Sequence, residues 1–144
     1  MKLRALAVLI GAAGIAACTT GPAVDVDHYT LVAVDDHPLP AASKDLPEGY
    51  LIVAASLDFD PVTSLVRHSE TIRQPDQGVE SSSIDLNYIR DGTSVTISLC
   101  PPLALCFAQT ELIGTVDGAE LRLTHHLAGT TRSSYLFERS NRPR

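Results

Sequence analysis

The chain has 144 residues, of which 44% are hydrophobic and 19% charged, and its formal net charge is −6. A negative surface repels nucleic acid, and no basic stripe interrupts it, so the composition argues against a nucleic-acid-binding function. The length fits one domain with a single hydrophobic core.

Residues 1–17 have the organisation of a secretion signal. Lys2 and Arg4 precede thirteen residues, 5–17, that carry no charge. This run is shorter than the roughly 20 residues of a stable transmembrane helix, and small residues end it, as a cleavage site requires. The last three residues before Cys18 are an isoleucine and two alanines.

This ending resembles the lipobox of bacterial lipoproteins. The resemblance implies cleavage before Cys18, attachment of diacylglycerol to its thiol and fatty acylation, for example with palmitate, of the new N-terminus. Several acyl chains anchor a protein firmly, since each buried methylene contributes about 0.8 kcal/mol. Thr19 follows, where lipoproteins kept at the inner membrane tend to carry Asp, so the resemblance implies the periplasmic face of the outer membrane.

The mature chain is expected to have a tether, a domain and a tail. Residues 18–27 contain the lipidated cysteine and a tether broken by glycine and proline, residues 28–140 form the domain, and residues 141–144 are expected to be disordered. Without Lys2 and Arg4, the mature chain has 9 basic and 17 acidic residues, a net charge of −8.

The domain has no helical periodicity, and its short alternating runs are separated by turn residues, a pattern typical of a β-sandwich or β-barrel. We predict eight strands, at about 29–34, 50–59, 63–72, 83–90, 94–100, 107–116, 121–127 and 133–139. The third is the least clear, because neither of its faces is cleanly apolar. The pairs Asp91-Gly92 and Asp117-Gly118 predict tight hairpin turns.

Consecutive hairpins favour an all-β, eight-stranded antiparallel up-and-down meander, and closing it into a barrel removes both exposed edges. An open sandwich is the alternative. The stretches YTLVAVDDHPLPA and SSYLFER resemble the first and last strands of small lipocalin-like (calycin) barrels. The chain has no tryptophan, so the resemblance implies that Tyr29 takes the aromatic place and that Arg139 packs on it near one barrel end. It also implies that loop 35–49 is a lid; an ordered surface loop is the alternative.

The alternation predicts a mostly filled core with at most one small apolar pocket and His125 on its wall. The predicted inward residues are Leu51, Val53, Ala55, Leu57, Phe59, Ile84, Leu86, Tyr88, Val95, Ile97, Leu99, Leu121, Leu123, Leu127, Tyr135 and Phe137. His125 is either a hydrogen-bonded core residue or part of a ligand cavity. His125, Tyr88 and Phe137 are our three candidate ligand-binding residues.

Cys100 and Cys106 form an even pair in an oxidising compartment and are expected to form a disulfide, with two buried thiols as the alternative. They bracket two prolines and the apolar residues Leu103 and Leu105. These leucines either cap the core or form a rigid apolar loop that inserts into a partner.

We find no catalytic motif, cofactor motif or metal-ligand spacing, and adjacent His125 and His126 point to opposite faces of a strand. We therefore expect a monomeric, non-enzymatic protein without a cofactor. The leading hypothesis is a lipid-anchored, lipocalin-like binding or structural module of the cell envelope, with a small apolar ligand. The alternative is an envelope inhibitor of a hydrolase, such as a lysozyme or a protease, acting through the Cys100 and Cys106 loop.

Overall fold

The computed structural model describes residues 27–106 and 108–140. Its nine strands are β1 (Asp27–Val34), β2 (His37–Pro38), β3 (Leu51–Asp60), β4 (Leu65–Gln74), β5 (Gly78–Asp91), β6 (Ser94–Ser98), β7 (Thr110–Asp117), β8 (Glu120–Leu127) and β9 (Thr130–Arg139). The predictions for the signal, Cys18, most of the tether and the tail fall outside the described residues, as does Phe107 in the predicted sixth strand.

The strands form one antiparallel sheet in sequential order, and pairing of β1 with β9 closes it. Strand β2 has only two residues and forms a small hairpin with β1. The other eight strands make the barrel wall, so the predicted eight-stranded up-and-down barrel is confirmed and the open sandwich is wrong. Within the described ranges, no helix is long and apolar enough to cross a membrane.

An aromatic cluster closes one end of the barrel, which we call the closed end. Phe59 lies edge-on between Tyr29 and Tyr88, with ring centroids 5.8 Å and 4.9 Å away. The Arg139 guanidinium lies 5.5 Å from the centroid of the Tyr29 ring and donates a hydrogen bond of 3.0 Å to its hydroxyl. The predicted packing of Tyr29 against Arg139 is confirmed. Asp27, where the described chain begins, joins this end through an ion pair of 3.2 Å with Arg90.

The opposite end, which we call the open end, carries segment 35–50, the β4–β5 turn, segment 99–109 and the β8–β9 turn. The Cys100–Cys106 disulfide is present there. Leu103 and Leu105 are fully solvent-exposed, with relative accessibilities of 106% and 93%. The alternative that these leucines cap the core is therefore wrong.

The core residues alternate along most strands as predicted, and the exceptions have local causes. In β3, a bulge between Ile52 and Ala54 shifts the inward face, so Ile52 is buried and the predicted Leu51 and Val53 are half-buried. The predicted inward residue Leu127 is 38% exposed, because it ends β8 at the open end. Buried hydrophobic residues that the prediction missed are Tyr29, Leu31, Val34, Ala41, Ile52, Val66, Leu112 and Val116.

The barrel wall has a side opening beside β5. This strand begins five residues before its predicted start, and its first ten residues, 78–87, pair with β4 on one side only within the described chain. Strand β6 reaches only residues 88–91 of β5. Ile84, predicted to be inward, is consequently 41% exposed. The inner face of β4 is thus close to solvent.

Candidate functional site

A cavity of 210 Å³ lies inside the barrel under loop 35–49. Its apolar walls are formed by Leu31, Leu46, Ile52, Ala55, Leu99, Leu112 and Phe137, and its polar groups are Asp45, His68, Glu70, His125 and Tyr135. Pockets for drug-sized ligands begin at about 300 Å³, so this cavity suits a smaller molecule. Mostly apolar walls with a few polar groups are typical of a ligand site.

The predicted site residues are divided between the two barrel ends. His125 and Phe137 both line the cavity, and the side chain of His125 is only 12% exposed. Tyr88 belongs instead to the aromatic cluster of the closed end, because alternation gives the face of a residue but not its depth along the barrel. The exposed Leu103 and Leu105 lie near the open end, outside the cavity lining.

Asp45 fixes loop 35–49 to the barrel. Its carboxylate accepts hydrogen bonds from the Tyr135 hydroxyl and, at 2.7 Å, from Nδ1 of His125. Nε of Arg132 donates a third, at 3.2 Å. Burial raises the pKa of the Asp45 carboxyl, but these three donors outweigh burial and hold the pKa below its usual range. The carboxylate is therefore charged and fully engaged by the barrel wall.

A second set of contacts holds the same loop from β9. The hydroxyl of Ser133, which is fully buried, donates to the Asp35 carboxylate at 3.0 Å and accepts from the Lys44 backbone N–H at 2.8 Å. The Ser43 hydroxyl donates to Ser133 at 3.0 Å. The loop is therefore an ordered cover over the open end, and Asp45 and Leu46 form part of the cavity wall.

The ring of His125 is held on both sides. Nδ1–H points at Asp45, and Nε2 is 2.8 Å from the hydroxyl oxygen of Thr110 on β7. Both of its nitrogens therefore have protein partners. This arrangement unites the two interpretations from the sequence, since His125 is a hydrogen-bonded interior residue that also lines the cavity.

Strand β4 contributes two polar side chains to the cavity that the sequence analysis did not select. His68 and Glu70 are two residues apart and share the inward face of β4, opposite Leu57 and Ala55 of β3. Neither side chain has a hydrogen-bond or ion-pair partner in the described part of the chain. Burial lowers the pKa of His68, whereas burial and the negative charge of Asp45 raise the pKa of Glu70.

The signal that could have identified these residues was the unclear pattern of the third predicted strand. When one face of a strand is entirely apolar, the sequence shows which face points inward. In β4 the inward face begins with Val66, but His68 and Glu70 follow on the same face, so the pattern was ambiguous. Within residues 27–106 and 108–140, no group of three histidine, cysteine or acidic side chains is placed to hold a metal ion.

Comparison of the chain with protein-family models, curated proteins and solved structures gives no significant match. We therefore infer the function from the barrel and its cavity alone.

Proposed function

We propose that the protein is a lipid-anchored, lipocalin-like binding module of the cell envelope that holds a small, largely apolar ligand inside its barrel. The observation that carries the proposal is the 210 Å³ cavity with mostly apolar walls and an ordered cover. A barrel with a structural role alone has no need of an interior space, since voids in a core cost stability.

The position of Asp27 supports this role for an anchored protein. Asp27 lies at the closed end, tied to Arg90 at 3.2 Å and to Arg139 at 3.4 Å. A lipid on Cys18 is nine residues upstream, and an extended chain of that length reaches at most about 30 Å. A lipid anchor on Cys18 would therefore keep the closed end within about 30 Å of the membrane surface.

The ligand-binding proposal can be tested with a matched pair of cavity variants. Ala55 is 6% exposed and lines the cavity, whereas its neighbour Ala54 is exposed on the outer face of β3. We expect Ala55→Leu to fill part of the cavity and abolish saturable binding of a small hydrophobic dye, while Ala54→Leu leaves binding unchanged. Equal binding by both variants, or none by the unmodified protein, would exclude a ligand site in this cavity.

Lipidation is tested separately. We expect metabolic labelling with palmitate to modify the protein at Cys18 and Cys18→Ser to abolish both labelling and partitioning into detergent. An unchanged mature mass and unchanged partitioning in Cys18→Ser would contradict the anchor and leave the cavity proposal intact.

The exposed Leu103 and Leu105 favour one second candidate, an inhibitor of an envelope hydrolase. A disulfide-closed loop with two prolines has little conformational entropy to lose when it enters a partner's cleft. Leu103 has a φ of 67°, which Asn tolerates well. We expect the unmodified protein to inhibit at least one lysozyme or protease, and Leu103→Asn combined with Leu105→Ser to abolish the inhibition; failure to inhibit any enzyme would remove this candidate.

A further inference from the structure

The polar side chains of the cavity form two sets, one bonded within the protein and one open to solvent. Asp45 and His125 bind each other at 2.7 Å, and Tyr135 donates to the same carboxylate. His68 and Glu70, by contrast, line the cavity without a hydrogen-bond partner in the described chain. Their polar atoms stay open to solvent, since no buried side-chain nitrogen or oxygen of the described chain lacks a partner, so a ligand in the cavity can bond to them directly.

We propose that the ligand is a small cationic amphiphile, a primary ammonium group on an apolar body, with the ammonium bound by Glu70 and His68. This inference rests on the proposed ligand-carrying function and names its ligand class. An ammonium group has three donors and no acceptor. The carboxylate of Glu70 and the free nitrogen of a neutral His68 ring both accept hydrogen bonds, so these two side chains complement it.

The charge of the cavity wall supports a cation and disfavours an anion. Asp45 is held in its charged form by Tyr135, His125 and Arg132. Glu70 is close enough to Asp45 for that charge to raise its pKa, so the cavity holds two interacting carboxyl groups. Because burial lowers the pKa of His68, this ring supplies no compensating positive charge at neutral pH. A fatty-acid carboxylate would meet like charge here, whereas an ammonium group would lower the repulsion.

Glu70 and His68 are placed along β4 so that both side chains can reach the same ligand head group. Residues i and i+2 of a strand point to the same face, about 7 Å apart, so two flexible side chains can converge on one ion between them. Their partners on β5, Ser82 and Ile84, lie in the exposed segment beside the side opening. The polar head therefore lies near solvent, and the apolar body points towards Phe137 and the other cavity walls.

The cavity volume limits the size of the apolar body. An apolar protein cavity of about 150 Å³ holds benzene. By proportion, the 210 Å³ cavity holds a molecule of roughly eight non-hydrogen atoms. Heptylamine has this size, and 1-heptanol and heptanoate present the same chain length with a neutral and an anionic head.

These three probes, titrated calorimetrically into the lipid-free domain at pH 7.5, test the inference. A charge-assisted hydrogen bond in a half-buried site predicts that heptylamine binds roughly tenfold more tightly than 1-heptanol. We expect no detectable binding of heptanoate. Glu70→Gln keeps the side-chain shape and should remove the preference for the amine while preserving binding of 1-heptanol. Glu120→Gln, at the closed end, removes the same charge from an exposed site and should change nothing.

The outcomes separate this inference from the proposed function. Binding of 1-heptanol as tight as that of heptylamine, or tighter binding of heptanoate, would overturn the amine inference and leave the carrier function standing. Absence of binding by all three probes would overturn both.

A second measurement tests the inference if Glu70→Gln does not fold. The groups facing Glu70 are His68 on its own strand, Asp45 on the loop, His125 on β8 and Tyr135 on β9. Because the pKa of Glu70 is raised, the preference of the unmodified protein for heptylamine should fall as acidification protonates this carboxyl, before Asp45 is neutralised. A preference that stays constant down to the pH at which Asp45 is protonated would contradict the role of Glu70.

Discussion

Replacing Asp45 with Asn tests whether loop 35–49 is a fixed cover of the cavity. The carboxylate accepts from Tyr135, from His125 at 2.7 Å and from Arg132 at 3.2 Å. Hydrogen bonds to a charged group contribute about 1.5–3 kcal/mol each. The Arg132 side chain is 39% exposed, so its ion pair with Asp45 is screened by solvent and contributes little to stability. The Asn oxygen keeps one acceptor for the other two donors, so we expect a loss of about 2 kcal/mol and a Tm about 8 °C lower.

The loss of stability in Asp45→Asn should depend on pH in a defined direction. The folded-state pKa of Asp45 lies below its usual value, so the folded protein binds this proton less readily than the unfolded chain. The stabilisation is therefore complete above the unfolded pKa of about 3.9 and disappears as the pH falls through the folded pKa. The Tm difference between unmodified and Asp45→Asn protein should be full at pH 7 and vanish in strong acid.

Trypsin offers a local readout of the same change. Lys44, the only lysine after the predicted signal, precedes Asp45, and its carbonyl accepts a hydrogen bond from Arg132. Opening of the loop should expose the peptide bond between Lys44 and Asp45. Trypsin should therefore cut Asp45→Asn after Lys44 faster than it cuts the unmodified protein. Asp36→Asn, an exposed change in the same loop, is the control. Equal Tm and equal cleavage in both variants would refute the role of Asp45 as the anchor of the loop.

Three further substitutions test the barrel itself. A Cβ atom at Gly114 would lie 1.7 Å from a carbonyl oxygen of β8, so Gly114→Ala should cost about 2–3 kcal/mol in urea unfolding, whereas exposed Thr115→Ala should cost little. Arg139→Met removes a cation from above a tyrosine ring and should cost about 1 kcal/mol by the same measurement. Serine at both Cys100 and Cys106 should lower stability by about 2 kcal/mol, since the disulfide closes only a short loop, and should leave probe binding in the cavity unchanged.

The barrel itself could be predicted because its connections are local. Asp91 and Ser94 pair across a two-residue turn, as Asp91-Gly92 indicated, and Asp117 pairs with Glu120 in the same way. Each such turn fixes the register of two strands. The bulge in β3 was not predictable, because its extra residue lies in the run Leu51, Ile52 and Val53, where every side chain is apolar and either face could point inward.

The cavity was only half predictable, for two different reasons. His125 stood out because its neighbours on one strand face are apolar. Asp45 did not, because its partners Tyr135 and His125 are 90 and 80 positions away along the chain, and a carboxylate in a loop has the same local pattern whether it faces solvent or a barrel. Such a contact is visible only after the barrel closes.

The barrel separates the aromatic cluster, which acts through packing, from the side chains that we propose bind the ligand. At the closed end, Tyr29, Phe59 and Tyr88 pack edge to face and Arg139 lies against the Tyr29 ring, so these residues act through packing. In the cavity, His68 and Glu70 give the fold no hydrogen bond within the described chain, so substituting them should affect ligand choice more than stability. Functional sites commonly break the rules that govern the rest of a fold. A substitution at the closed end that changed ligand preference without changing Tm would contradict this division.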